Sequence, residues 1–325
     1  MQQFVQENWG VTARVCEPLG NAGGFSGAQL WRVHTTDNEV LCLRLWPDEH
    51  PTAEYLRWIH QVVFHLAAQG FTKCPIPRPY DGRPSGANQS FAEINGRLWQ
   101  LEDWMAGKAD YSTSPSPAKL QSALQTLALF HKNAQSFQSS VGPAPAMTFR
   151  QTRIEQLVQQ LPALQGKYVG LLFPDFPELV RLFNFTHQRV LERLTHAASV
   201  EVPIFPCLRD VWHDHVLFDG DEVSGLIDLG AMRIESAAGD IARLVGSLVG
   251  DDRLLWAKAI AAYEQIRPLT ELERSLIEVY DQSAVLCSGM NWLSWRFIEK
   301  RQFEDWEVIG ERIYANLRRL RLLAQ

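Results

Sequence analysis

The sequence predicts an α+β protein in two lobes, a small antiparallel sheet first and a larger, mainly helical part after it. Three observations carry this. Apolar runs broken by turn residues continue to about Trp104, a Ser- and Pro-rich stretch runs from Lys108 to Pro117, and segments of helical periodicity follow. At 325 residues the chain is long for one compact core, which favours two lobes, expected over 1–104 and 105–325.

The elements follow in order. The start, Met1 to Glu7, lacks the basic and apolar run of a signal peptide, and no stretch approaches the ~18 apolar residues of a membrane span. A cytoplasmic protein without membrane contact is expected. Leu30 to His34 and Val40 to Trp46 flank the polar turn Thr35 to Glu39, a hairpin signature. Leu56, Ile59, Val63 and Leu66 recur at the spacing of one helical face, and Gly70 follows as a stop. The Pro-rich chain from Cys74 to Pro84 reads as extended, and Ser90 to Ile94 and Arg97 to Trp104 read as strands around Asn95-Gly96. Helices are expected at about 118–138, 150–161, 174–197, 237–249, 252–266, 269–289 and 303–323.

Composition narrows the function. A formal net charge of -6 argues against nucleic acid as a partner, because phosphate-backbone binding needs concentrated Lys and Arg. Arg318, Arg319 and Arg321 read as cations in the last turn of a helix. The 5 cysteines are scattered, odd in number and without C-x-x-C spacing, so neither a disulfide framework nor a zinc site is indicated.

One polar segment interrupts the helical part. Cys207 to Phe218 opens into an apolar strand, Asp219-Gly220-Asp221 is a tight-turn signal, and Val223 to Asp228 reads as the returning strand. This hairpin is expected to bring Asp210, His215 and Asp228 together. Phosphoryl transfer needs a carboxylate at the acceptor hydroxyl and ligands for the cations that neutralise a triphosphate.

In these offsets the chain resembles the aminoglycoside phosphotransferase and choline kinase-like family, of protein kinase-like fold. The family's catalytic Asp, the Asn five residues on, and the Asp of a D-F-G-like element match Asp210, His215 and Asp228. Gly239-Asp240-Ile241-Ala242-Arg243-Leu244 resembles the family's downstream G-D element, and Leu19 to Ala28 its nucleotide-covering loop. Leu43-Arg44-Leu45 falls where the phosphate-pairing cation stands, and Leu98 to Gly107 is similar to the passage ending in a W-M-x-G turn.

The resemblance implies an ATP-dependent phosphotransferase acting on a hydroxyl of a small molecule such as an aminoglycoside or amino alcohol. Asp210 would be catalytic, and Asp228 with His215 would hold magnesium or manganese. Gly23, Gly24, Ser26 and Arg44 would meet phosphates, and backbone at Glu102 and Trp104 would meet adenine. Asp240 would support the catalytic loop. The helical carboxylate that should pair with Arg44 has no match, since Glu54 comes early and His60 and His65 follow.

His215 stands in place of the usual Asn, and imidazole suits softer metals than magnesium. Either His215 ligates metal, or Asp214 takes over, or the second metal is lost. A pseudokinase that binds nucleotide or a partner is the alternative reading, and a metal hydrolase using His213-Asp214-His215 a third. Trp292, Trp295 and Trp306 cluster with Asn291, Arg296, Glu304 and Asp305 near the C-terminus, which would suit a cationic acceptor. The oligomeric state is left open.

Overall fold

The computed structural model describes residues 1–20, 27–48, 50–80, 89–165, 176–301 and 306–325. Its contacts divide the chain into two compact units, Met1–Phe137 with His213–Met232, and Gln138–Trp212 with Arg233–Gln325. This is a partition by contact, whereas the expected one at residue 104 is a partition by role.

The first unit is built on a five-stranded antiparallel sheet of order β1-β2-β3-β5-β4. Its strands are β1 (Ala13–Pro18), β2 (Gln29–Thr35), β3 (Val40–Leu45), β4 (Ala92–Ile94) and β5 (Arg97–Asp103). Asn95 and Gly96 both take positive φ in the β4–β5 turn, as the Asn-Gly pair predicts. An unexpected helix, α1 (Gln2–Trp9), precedes the sheet and buries Val5 and Trp9 against Val33, Leu41 and Leu101. Its remaining residues are mostly polar, so periodicity does not reveal it; the sheet stabilises it by covering those two side chains.

Helix α2 (Ala53–Ala68) starts at Thr52, whose hydroxyl accepts the Tyr55 N–H, and buries Leu56, Ile59, Val63 and Leu66. Each such aliphatic side chain contributes about 1.5–3 kcal/mol by leaving water. Helix α3 (Pro117–Phe137) and the hairpin β8 (Val216–Asp219) and β9 (Glu222–Leu226) complete the unit. The Ser122 hydroxyl links them, accepting the Val223 N–H and donating to Glu222. Residues just after β5 pack tightly on this hairpin. Gly107 has a φ of 110°, and a Cβ there would lie 2.1 Å from Ser224 Oγ. Only glycine fits that turn.

The second unit holds a three-stranded sheet of order β10-β7-β6, made of β6 (Ser140–Pro143), β7 (Glu201–Cys207) and β10 (Arg233–Glu235). Around it stand α4 (Pro145–Gln165), α5 (Phe176–Ala197), α6 (Ala237–Val249), α7 (Arg253–Glu264), α8 (Glu271–Phe297) and α9 (Trp306–Leu323). Ser236, Asp252 and Thr270 cap α6, α7 and α8, the last through a reciprocal box with Glu273. Buried Glu235 ties three elements: its carboxylate accepts the Ala146 and Ser236 N–H groups and the Tyr280 hydroxyl. No helix among the described residues is long and apolar enough to cross a membrane.

Candidate active site

In the first unit the chemistry gathers at Arg44 on β3. The guanidinium is buried, donates from Nη1 to Asp228 Oδ1 at 3.3 Å, and places Nε 3.7 Å from Glu102 Oε1. It lies 4.7 Å over the Trp46 ring. The register of β3 on β5 sets this up: Arg44 stands opposite Gln100 and Cys42 opposite Glu102, so both β5 side chains share a face with Arg44.

Behind the ion pair runs a buried hydrogen-bonded chain. Gln100 Nε2 donates to Glu102 Oε2 at 2.6 Å, and Gln100 Oε1 accepts from Trp46 Nε1 at 2.7 Å. His60 Nε2 lies 3.1 Å from the same oxygen, while its Nδ1 is 2.6 Å from Ser90 Oγ. This pattern requires Nε2 of a neutral His60 to carry the proton and Nδ1 to accept from Ser90. Burial pulls the His60 pKa down to about 4, and burial pushes Glu102 up to about 7 against the pull of Arg44.

Asp228 takes a left-handed conformation, φ 60° and ψ 64°, at the entrance of a short 3₁₀ turn, Leu229–Ala231. Asp tolerates this region better than most residues. A Cβ at Gly230 would come within 2.9 Å of the Trp46 ring, so glycine there lets Trp46 lie over Arg44. On the other side, His215 Nε2 is 3.7 Å from Asp228 Oδ2, and the Ile227 N–H donates to the His215 carbonyl at 3.0 Å. The Asp228 and His215 side chains are 38% and 15% exposed, so both could reach a cation from solvent. Asp214 Oδ1 lies 3.3 Å from His213 Nε2.

Asp210 belongs to the second unit. Its loop is fixed by Asp240 at the start of α6, whose two carboxylate oxygens accept the Leu208 and Arg209 N–H groups at 2.6 Å each. Those bonds stabilise Arg209 in a left-handed conformation, φ 65°. Arg243, one turn along α6, donates from Nη2 to Asp210 Oδ1 at 3.0 Å and thereby orients the carboxylate. The loop borders a cleft of about 460 Å³ that includes Asp210, Arg150, Arg209, Asn291, Trp292 and Trp295.

The structure therefore groups Arg44, Glu102, His215 and Asp228 in one unit and places Asp210 with Asp240 and Arg243 in the other. Gly23, Gly24, Ser26, Glu304 and Asp305 lie outside the described residues. Trp104 is half-buried under the Arg32 guanidinium, 4.2 Å from its ring centroid. The carboxylate missing from α2 is supplied by β5 as Glu102, a side-chain part that the sequence reading did not foresee. The only signal was hairpin register, which needs the turn between β4 and β5 and the order of the sheet.

A kinase-like arrangement of an antiparallel sheet unit and a helical unit is the class these features define. The chain is similar to an aminoglycoside phosphotransferase from Alicyclobacillus acidocaldarius subsp. acidocaldarius, at a TM-score of 0.69 and 15% identity over 100% of this chain and 94% of that one. It is also similar to an amicoumacin kinase in complex with AMP-PNP, Ca2+ and Ami, at a TM-score of 0.66 and 9% identity over 97% and 91%. Among curated proteins it matches the homoserine kinase of Methylobacillus flagellatus, 28% identical over 246 residues, 74% of this chain and 68% of the relative. That of Methylobacillus glycogenes is 28% identical over 266 residues, 79% and 73%. Residues 19–275 match the model of the phosphotransferase enzyme family, and the chain belongs to that family. It is an ATP-dependent small-molecule kinase with a hydroxyl acceptor, and these matches lend no support to the pseudokinase alternative.

Proposed function

We propose that Asp210 is the group that accepts the proton of the acceptor hydroxyl, while Arg44, Asp228 and His215 serve the nucleotide. The acceptor oxygen attacks the γ-phosphorus, its bond to the β,γ-bridging oxygen breaks, and ADP leaves; the hydroxyl proton passes to the Asp210 carboxylate. The observation that carries this reading is the bond between Arg44 and Asp228, 184 residues apart in sequence yet 3.3 Å apart. A buried cation beside a carboxylate of the metal-binding type suits a triphosphate and its divalent ion.

Arg44 would pair the phosphates and Glu102 would hold Arg44 in place. Asp228 and the His215 imidazole would hold magnesium or manganese, with phosphate oxygens completing the hard ligand set that magnesium prefers. The cation, when bound, neutralises triphosphate charge. Gly23, Gly24 and Ser26 would cover the phosphates, and backbone at Glu102 and Trp104 would meet adenine. Residues 1–104 thus form the nucleotide-binding part, and 105–325 carry the catalytic loop and the acceptor helices. The homoserine kinases make short hydroxylated amino acids the first acceptors to assay, beside aminoglycosides and amino alcohols.

The test is ADP release by wild type and Asp210→Ala over such a panel. The variant is expected to lose about 10³-fold in kcat, a typical contribution of a positioned base, while ATP still raises its melting temperature. Turnover untouched by the substitution would remove Asp210 from its role.

A further inference from the structure

The cleft beside Asp210 holds more positive charge than it neutralises. Each of its acids is committed: Asp240 to two loop amides, Glu235 to two amides and the Tyr280 hydroxyl, and Asp210 to Arg243. Of its cations, Arg153 donates to Asn291 Oδ1 at 2.7 Å and approaches Glu299 at 3.8 Å. Arg150, on α4, is different. Its Nη1 donates to the Tyr280 carbonyl at 3.0 Å and the Ser283 hydroxyl at 2.8 Å, and its guanidinium lies 5.0 Å over the Tyr280 ring.

No carboxylate among the described residues forms an ion pair with Arg150, though the side chain is half-buried in the cleft wall. Neutral partners fix its Nη1 edge, and no protein hydrogen bond among the described residues uses Nε or Nη2. Burial pulls its pKa down, against the opposing pull of Tyr280, Cys287 and the Glu235 carboxylate, yet an arginine remains charged at neutral pH. A half-buried guanidinium with its position set and two donors unspent is matched by a carboxylate, which it binds in a planar, charge-assisted fork.

We propose that the acceptor carries a carboxylate as well as the reacting hydroxyl, and that Arg150 binds that carboxylate. It rests on the phosphotransfer reading above and narrows its acceptor. An acceptor with only ammonium groups would bring a cation against a guanidinium that no carboxylate contacts among the described residues, so the cleft selects hydroxylated acids over amino alcohols and aminoglycosides. This reverses the cationic acceptor expected from the tryptophan cluster, whose Glu304 and Asp305 lie outside the described residues.

Matched acceptors that differ by one carboxylate test this: L-homoserine against 3-amino-1-propanol, L-serine against ethanolamine, D-glycerate against ethylene glycol, with kanamycin as a polycation. In at least one pair the acid should exceed its partner in kcat/KM by about 30-fold, the usual scale of a charge-assisted hydrogen bond. Arg150→Gln should remove about that factor for the acid, mainly through KM, leave the KM for ATP and for the uncharged ethylene glycol unchanged, and not impair the cationic amino alcohols. Arg150→Lys, which keeps the charge and guards against a folding defect, should restore part of it. Equal or better turnover of the carboxylate-free members or kanamycin, turnover of no acid by a protein that ATP stabilises, or an Arg150→Gln variant with the preference intact would each overturn the proposal. Wild-type protein that ATP does not stabilise, or acid turnover insensitive to Asp210→Ala, would instead sink the phosphotransfer reading beneath it.

Discussion

The surroundings of Arg44 and the cleft beside Asp210 are both made of arginines and carboxylates, and they use them in opposite ways. Around Arg44 the cation is buried between two carboxylates, Glu102 and Asp228, under an indole, beside a cavity of only about 20 Å³. In the cleft the carboxylates are spent on backbone and on Arg243, while Arg150 and Arg209 form no ion pair among the described residues and feel Glu235 only at a distance. The first is a set of charges that holds itself in place before any ligand arrives. The second leaves charge for a ligand to neutralise, at some cost in stability.

The comparison breaks or sharpens on three substitutions. Arg44→Ala has the largest expected effect, about 3–5 kcal/mol of stability at pH 8, because it strands a buried carboxylate. The loss should shrink at pH 6. Glu102 has a folded pKa raised to about 7, so its stabilising protonated form is present at low pH and lost as pH rises through that value. Urea denaturation at both pH values measures this, and adding Glu102→Gln should recover much of the deficit at pH 8.

His60 comes next. Its folded pKa, lowered to about 4 from 6.5, means that the unfolded chain takes up the proton first, so stability is full above 6.5 and lost as pH falls toward 4. About 2 kcal/mol of the wild type's advantage over His60→Gln should therefore disappear between pH 7.5 and 5. A pH-independent difference would mean that the chain from Ser90 to Glu102 does not hold His60 neutral.

Arg209→Gln has the smallest expected effect, within about 0.5 kcal/mol, since the side chain is exposed and forms no side-chain hydrogen bond or ion pair among the described residues. If it proved as costly as Arg44→Ala, the distinction between neutralised and spare cations would be void.

Much of the fold was legible in the sequence because its signals are local. The Asn95-Gly96 turn, the α2 stripe of Leu56, Ile59, Val63 and Leu66, and the Gly70 stop after α2 each act within a few residues. Strand β7 was not among the expected elements, and it contains Pro203 and Pro206, which cannot donate to a ladder. The structure accommodates them: β6 pairs with Glu201 to Ile204 and β10 with Phe205 to Cys207, so no β7 residue is paired on both sides. Helix α8 runs to Phe297, beyond the expected 289, since Trp292 and Leu293 continue its buried face.

The site divides along the same line. Residue types and their offsets set which groups are present: Asp210, His215, Asp228 and Asp240 follow one another at spacings that a loop, a hairpin and a helix start can be read to hold. The charge balance between distant groups came only with the tertiary structure. That Glu102 replaces a helical partner depends on which strand lies beside β3, and that Arg150 is held by neutral partners and by no ion pair among the described residues depends on how α4 meets α8. Both are matters of Coulomb interaction over a few ångströms between residues far apart in the chain, which no local pattern encodes.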